Sequence, residues 1–391
     1  QGGSDDALLI ATVFDTPSAG RSYRVPKEPV RTDPGVIAGL ECLAASGHEV
    51  PTVSVNPNRP SPNARGLSAV TRYGMSEFGH LYSPRQRLAL LTIRRLTQEV
   101  IGEAPTHMQE ALGSCLCLAF GRLVDRNSTL CRWIPQTGGI GYTFGRQALG
   151  MIWDFVEINP LTHSGGWTGA IDDIAETLAS TGSFDVSGKA EQFSATTHSL
   201  PDDSVSAFVT DPPYYDAIPY ADLSDFFYVW LRPLFAAVHP ELSRCETTPK
   251  EQEAIWNPGR KLKSGLPKDT AFYESQMRLA LQEGQRITQP GGVGVVVFAH
   301  KSTAGWEALL AGMLNAGWTV TASWPIDTER AARTNAIGTA SLASSVHLVC
   351  RPRANHDGFV RTGDVGDWRE VLAELPKRIH EWMPRLAAEG V

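Results

Sequence analysis

Apolar and polar positions are patterned most regularly in the second half of the chain. The segments "SVSAFVT" (204–210) and "VGVVVF" (293–298) are short and apolar, which is typical of strands in a buried parallel sheet. Between them, "AFYESQMRLALQEGQRI" (271–287) repeats apolar residues at helical spacing. "AEQFSA" (190–195) predicts one more strand. Strands that alternate with helices in this way indicate an α/β fold.

The alternation continues towards the C-terminus. "STAGWEALLAGMLNAGW" (302–318) predicts a helix, and "TVTASW" (319–324) and "SSVHLVC" (344–350) predict strands. Because no long helix separates the last two strands, we expect them to form an antiparallel edge. The predicted fold is a Rossmann-like sheet that is mostly parallel, with an antiparallel edge strand and helices on both faces.

The first half of the chain predicts more helices than strands. A strand is expected over Leu8 to Phe14, and helices over Pro34 to Ala45 and Met108 to Val124. A further helix begins with Ser83 at the cap position and Pro84 at the first helical position. Its apolar residues at helical spacing are Ala89, Ile93, Leu96 and Val100.

This pattern divides the chain into three parts. Residues 1–66 form an N-terminal extension that ends in a proline-rich linker. Residues 67–353 form one domain, which has a helical insertion over 67–185 and a regular α/β part over 186–353. Residues 354–391 form a helical tail.

Composition narrows the class of protein. The chain is 42% hydrophobic and 20% charged, and its net charge of −7 excludes a globally basic nucleic-acid binder. No apolar run approaches the roughly 20 residues that span a bilayer, so no membrane partner is expected. The six cysteines form no C-x-x-C pair, which favours reduced thiols in the cytoplasm over disulfides or a metal site.

The stretch "TDPPYYD" (210–216) carries the candidate chemistry. Asp211 follows a predicted strand, where ligands of open α/β sheets bind. Two prolines fix the backbone and remove its donors, which leaves the carbonyl oxygens free to accept hydrogen bonds. A carboxylate, a rigid carbonyl and the ring of Tyr214 suit one task, which is to hold a planar NH₂ group. Two acceptors favour the pyramidal nitrogen that attacks an electrophile.

With its aromatic extension, "TDPPYYDAIPYADLSDFFYVWL" resembles the catalytic motif of S-adenosylmethionine-dependent adenine-specific DNA methyltransferases. The likeness is closest to large methylases that are encoded beside phage-defence genes. It extends over residues 67–353 and includes "RYGMSEFGHLYSPRQRLALL", "FGRQALGMIWDFVEINP", "VFAHKSTAGWEALL" and "SSVHLVCRPR". The resemblance implies methyl transfer to N6 of adenine in double-stranded DNA, in restriction-modification or phage defence.

The resemblance also implies a role for individual residues. Asp211 and the Pro212 carbonyl hold the target amine, Pro213 completes the catalytic motif, and Tyr214 stacks on a flipped base. The base pocket is lined by Tyr215, Asp216, His300 and Lys301. The cofactor S-adenosylmethionine contacts Asp211 and two other groups of residues, which are Phe78, Tyr82 and Ser83, and Ser194, Ala195 and Thr196.

One feature of the family is not evident in this sequence. Such enzymes carry a glycine-rich F-x-G-x-G turn after their first strand, and "TGGIGYTFG" (137–145) is only weakly similar. We therefore expect this chain alone to bind the cofactor weakly or not at all. An upstream half of a longer protein, or a partner chain, would then supply the cofactor loop. The first-strand position, which otherwise leaves an open sheet edge, would be filled by the chain's own N-terminal segment or by a partner chain.

A basic segment comes after the motif in "PGRKLKSGLPK" (258–268), and its charges are candidates for contacts with DNA phosphates. These residues are Arg260, Lys261, Lys263 and Lys268. Three alternatives to adenine methylation in DNA stay open: an RNA methyltransferase, a cytosine-N4 methyltransferase, and a catalytically inactive DNA-binding subunit of a defence complex.

Overall fold

The fold is α/β, as seen in a computed structural model of the chain. The structure describes residues 4–16, 18, 20–28, 30, 32–58, 69–145, 147–181, 186, 188–215, 218–299, 303–326 and 345–353. The elements in these ranges are β1 (Thr12–Thr16), β2 (Gly20–Arg24), α1 (Pro34–Ala45), α2 (Pro84–Glu103), α3 (Thr106–Arg126), β3 (Trp133–Ile134), β4 (Gly139–Ile140), α4 (Trp167–Ser180), β5 (Val205–Thr210), α5 (Tyr220–Val238), β6 (Asn257–Lys261), β7 (Pro267–Lys268), α6 (Thr270–Ile287), β8 (Thr288–Phe298), α7 (Thr303–Asn315), β9 (Trp318–Ile326) and β10 (Ser345–Pro352).

The chain divides into two compact units. The first comprises residues 1–190 and 216–269, and the second comprises residues 191–215 and 270–391. The predicted helices α1, α2 and α3 are confirmed, and α1 has the predicted bounds. The first strand is displaced along the chain, because pairing with β2 begins at Thr12.

Helix α2 begins as the sequence predicts. The Ser83 side chain accepts the backbone N–H of Gln86, and the Gln86 side chain accepts the N–H of Ser83, which forms a capping box. The buried face differs from the predicted one, because Leu96 and Val100 are exposed. Buried residues of α2 include Leu90, Leu91, Ile93, Arg94, Thr97 and Ile101.

The core of the first unit lies between α2, α3 and α5. Tyr82 is fully buried there, with its ring edge-to-face on Trp230 at 4.9 Å and stacked on Phe226 at 5.9 Å between centroids. In the β3–β4 turn, Gly138 has a φ of +63°, a conformation that favours glycine. The glycines of "TGGIGYTFG" thus include one that this hairpin needs.

The second unit is built on a four-stranded sheet in the order β5-β8-β10-β9. Strands β5 and β8 are parallel, and the chain between them passes through residues 216–269 of the first unit before α6 leads into β8. Strand β10 is antiparallel to both β8 and β9 and lies between them. The antiparallel strands are therefore confirmed near the sheet edge, but β10 itself is interior and only β9 is at the edge.

Helices α6 and α7 pack on the same face of this sheet. Met277 of α6 and Met313 of α7 belong to one core, together with Val296 of β8. Gly284 lets α6 approach β5 closely, because a Cβ there would lie 2.5 Å from the Phe208 ring. Both described helices of this unit therefore pack on one face, and the prediction of helices on both faces stays a prediction.

Strand β5 forms the other edge of the sheet. Among the described residues it pairs with β8 alone, and Val209 near its carboxyl end is 68% exposed. The N-terminal strands β1 and β2 pair with each other in a separate two-stranded sheet. The described part of the N-terminal segment therefore does not fill the position beside β5. The strand predicted over 190–195 is also absent, and an exposed turn begins at Ala195.

Candidate functional site

The Asp-Pro-Pro-Tyr motif comes directly after β5, at the carboxyl end of the parallel pair of strands. Asp211 is exposed, and its Oδ1 accepts a hydrogen bond of 2.6 Å from the Tyr214 hydroxyl. No other described donor reaches the Asp211 carboxylate. This arrangement leaves Oδ2 of Asp211 available to a ligand.

The two proline carbonyls have different surroundings. The carbonyl oxygen of Pro213 accepts hydrogen bonds from the Tyr273 hydroxyl at 2.7 Å and from the backbone N–H of Tyr215 at 3.0 Å. No described donor reaches the carbonyl oxygen of Pro212. The motif thus combines one carbonyl that is held by the protein with another that is open to a ligand.

Tyr214 is half-buried and its ring packs edge-to-face on Phe298 of β8, with centroids 5.3 Å apart. This contact ties the motif to the neighbouring strand. The Tyr214 hydroxyl is the group that orients Asp211. Tyr214 therefore supports the carboxylate in this structure, a role that the predicted stacking on a base did not include.

Tyr215 has a strained backbone, because its φ of +52° lies in the left-handed region that non-glycine residues seldom adopt. Its hydroxyl lies 2.9 Å from Oγ1 of Thr270, and its ring packs edge-to-face on Tyr273 at 5.0 Å. Such conformations persist where surrounding contacts hold them, and they are frequent at functional sites.

Tyr273 belongs to the site although it lies outside the sequence motif. It is fully buried on α6, and its hydroxyl also accepts the Tyr215 N–H at 3.3 Å. Burial raises the pKa of Tyr273 well above its usual range, so the hydroxyl stays protonated and keeps donating to Pro213. Helical spacing from Met277 and Leu281 places Tyr273 on the core face, but no sequence signal identifies its partner 60 residues away.

The other predicted residues of the base pocket lie outside the described part of the chain. They are Asp216, His300 and Lys301. Ser194, Ala195 and Thr196 belong to the same unit as Asp211 and form a turn, in which the Ser194 and Thr196 hydroxyls lie 2.8 Å apart. Ser194 and Ala195 are exposed and Thr196 is half-buried.

Phe78, Tyr82 and Ser83 belong to the first unit. Phe78 and Tyr82 are core residues, and burial raises the pKa of the Tyr82 hydroxyl well above its usual range. Ser83 is 1% exposed and caps α2. All three side chains are occupied by packing or capping.

The predicted phosphate contacts separate into two groups. Lys261 and Lys263 are exposed on or beside the β6–β7 hairpin, where Lys263 lies 3.5 Å from Glu251. Lys268 is fully buried and donates to the Lys250 carbonyl at 2.6 Å, so the structure does not support a phosphate contact by its ammonium group. Burial lowers the pKa of Lys268.

Arg260 belongs to a buried ionic network at the start of α5. Its guanidinium lies 2.9 Å from Oδ1 of Asp222, whose side chain is 4% exposed. Breaking such a pair leaves an uncompensated buried charge. The network accounts for Arg260 structurally and leaves Lys261 and Lys263 as the exposed cations of the predicted set.

Comparisons with known proteins do not assign this chain to a family. No protein-family model matches the chain, and no curated protein sequence matches it either. In the described part of the chain, no helix is long and apolar enough to cross a membrane. The described side chains also contain no group of three or more His, Cys, Asp and Glu residues that could hold a metal ion.

Proposed function

We propose that this chain binds the exocyclic amine of a nucleobase for methylation, with N6 of adenine in DNA as the target. The observation that carries this proposal is the pair of open acceptors after β5, the Asp211 carboxylate and the Pro212 carbonyl. A planar NH₂ group has two N–H donors and therefore needs two acceptors. The same site suits methylation of DNA in restriction-modification or phage defence.

The chemistry depends on these acceptors. The lone pair of an aromatic amine is delocalised into the ring, which makes the nitrogen a poor nucleophile. Hydrogen bonds from its two N–H groups to Asp211 and Pro212 favour a pyramidal nitrogen with a localised lone pair. Tyr214 holds the carboxylate and Tyr273 holds the turn, so these acceptors are positioned before the amine arrives.

S-adenosylmethionine would supply the electrophilic methyl group. The first group of predicted cofactor residues does not fit it, because Phe78 and Tyr82 are enclosed in a core and Ser83 caps a helix. The proposal therefore assigns this chain the amine side of the reaction. A Rossmann-like sheet is part of the proposal, and the parallel β5–β8 pair with its α6 connection supports it.

The decisive experiment introduces Asp211→Asn into the gene for this protein in the organism that naturally makes it. The asparagine still accepts from Tyr214, but its NH₂ group faces the target amine with a donor. We expect N6-methyladenine in genomic DNA, measured by mass spectrometry of nucleosides, to fall to the level of cells that lack the protein. Asp202→Asn is the matched control, because Asp202 is exposed before the other end of β5 and pairs with Arg286.

The same measurement separates the alternatives. Loss of N4-methylcytosine from DNA, or of a methylated base from RNA, would identify one of the two other methyltransferases. An unchanged methylation profile would remove Asp211 from the mechanism. If the variant also retained DNA binding and phage protection, the result would favour the second candidate, a catalytically inactive DNA-binding subunit. The burial of Phe78 and Tyr82, two of the predicted cofactor residues, supports this candidate.

A further inference from the structure

A large cleft lies within the first unit. Its volume is about 1710 Å³, above the roughly 300–1,000 Å³ of most small-molecule sites, so a small ligand needs only part of it. The N-terminal segment from Ser4 to Val13 forms part of the lining, and residues 151–160 form another part. Asp211 is not among the residues that line this cleft.

Polar atoms without partners are concentrated in the lining of this cleft. Oε1 of Gln86 accepts the N–H of Ser83 at 2.9 Å, which fixes the other end of the amide as nitrogen. That nitrogen is buried and has no partner among the described residues. Neither amide atom of Asn127 has one, although Asn127 is only 1% exposed.

Arg126 adds a third unused donor. One of its terminal nitrogens donates to the Tyr142 hydroxyl at 2.6 Å, while its Nε is buried and has no described partner. A buried donor without a hydrogen-bond partner destabilises the folded state. Three such side chains in the lining of one cleft therefore indicate an acceptor-rich ligand or ordered water.

Charge favours an anion at this position. Arg85 is neutralised by a bidentate pair with Glu157, and both residues line the cleft. Of the remaining charged lining residues, the cations are Arg21, Arg72 and Arg126 and the anions are Asp6 and Asp154. Arginine is the preferred partner of phosphate because its donors match the phosphate oxygens.

Exposed aromatic rings offer a surface for a planar group. Trp153 is 70% exposed and its ring lies edge-to-face against Tyr73, 5.1 Å between centroids. Tyr23 is 60% exposed on β2. All three line the cleft. Stacking on such rings binds any nucleobase, since each base presents a π-face.

We propose that this cleft binds a nucleoside monophosphate, with the base on the exposed aromatic rings and the phosphate on Arg126, Gln86 and Asn127. The free amide of Asn127 offers a donor and an acceptor together. The ligand removes the cost of leaving these groups unpaired, because each donor then gains an acceptor.

Calorimetric titration of the full chain with AMP, CMP, adenosine and inorganic phosphate tests the proposal. We expect one AMP or CMP per chain, with adenosine and phosphate each binding more weakly. Arg126→Gln should weaken AMP binding about tenfold to hundredfold and change adenosine binding little. Arg122→Gln is the matched control, since it lies one turn earlier on α3, pairs with Asp173 and does not line the cleft.

Asn127→Leu supplies an independent arm. The leucine side chain is similar in volume to the asparagine side chain and needs no hydrogen-bond partner. The melting temperature of the variant should therefore match or exceed that of the parent, while AMP binding is lost. The proposal is overturned if neither nucleotide binds, or if the two arginine variants weaken AMP binding equally or not at all. It is also overturned if S-adenosylmethionine binds where nucleotides do not, or if the unpartnered groups hold ordered water only.

Discussion

The hydroxyl of Tyr273 donates a hydrogen bond of 2.7 Å to the carbonyl oxygen of Pro213. The same oxygen of Tyr273 accepts the N–H of Tyr215, so one buried side chain holds both ends of the turn that comes after Asp211. Because α6 carries Tyr273, the position of the motif depends on how this helix packs against β5 and β8. Tyr273 is a positioning residue for the acceptors.

We therefore predict that Tyr273→Phe lowers DNA methylation while the chain stays folded. The variant loses two hydrogen bonds, one of which holds the strained backbone of Tyr215. The free energy of unfolding should therefore fall by about 1–2 kcal/mol. Denaturant unfolding and genomic N6-methyladenine give the two readouts.

Tyr228→Phe is the control for this variant, because the Tyr228 hydroxyl also donates to main-chain carbonyls, those of Leu242 and Cys245. A similar loss of stability without loss of methylation is expected from it. Equal loss of methylation in both variants would reduce the role of Tyr273 to stability alone.

The hydrogen bond between Tyr214 and Asp211 leads to a second prediction. Tyr214→Phe releases Oδ1 of the carboxylate but keeps the ring on Phe298, and methyl transfer by the complete protein should fall by about tenfold or less, as expected for one hydrogen bond. Tyr214→Ala also loses the ring, which is worth about 1–3 kcal/mol if a base stacks on it. Activity of the Phe variant at or above that of the parent would show that this bond competes with the target amine.

Local signals explain which parts of the fold were predictable. Ser83 and Pro84 marked the start of α2 because a cap depends on residues within one turn. The apolar run from Val293 to Phe298 was short enough to indicate a strand, and the Asp-Pro-Pro motif after Thr210 was expected at a strand end, where the structure has it.

Contacts between distant residues explain the rest. Arg94 is buried on α2 while Leu96 is exposed, and the Arg94 guanidinium donates to the Glu49 carbonyl, 45 residues away. Strand β10 inserts between β8 and β9 although it comes after both in sequence. The burial of Lys268 likewise depends on the carbonyl of Lys250. Polar burial and strand order depend on such pairings, which hydrophobic periodicity does not encode.

The ionic network beside α5 predicts a pH dependence of stability. Burial raises the pKa of Glu253 above its usual value of 4.5. The folded state then holds this proton more tightly than the unfolded state, so the contribution of Glu253 to stability is greatest below pH 4.5 and is lost as pH rises through the raised pKa.

Glu253→Gln should remove this loss, because glutamine has no proton to release and its oxygen can still accept the N–H of Ala221. We expect the variant to be more stable than the parent at neutral pH and to approach it below pH 4.5, measured by denaturant unfolding across that range. Glu251→Gln is the control, because Glu251 is half-buried and its side chain likewise accepts a backbone N–H, that of Lys263 at 2.6 Å. A variant that is less stable at neutral pH would show that attraction to Lys268 and Arg260 outweighs burial.

The last prediction concerns the methyl donor. Phe78, Tyr82 and Ser83 are committed to packing and capping, and β5 has an open edge in the described part of its sheet. Backbone amides reach a cofactor closely only where glycine removes the Cβ, and the weak candidate turn needs Gly138 for its own hairpin. We therefore expect calorimetric titration of this chain with S-adenosylmethionine to show weak binding or none. Tight binding of one molecule per chain would mean that residues other than those three hold the cofactor, and the same titration of Asp211→Ala would then show whether the motif contributes.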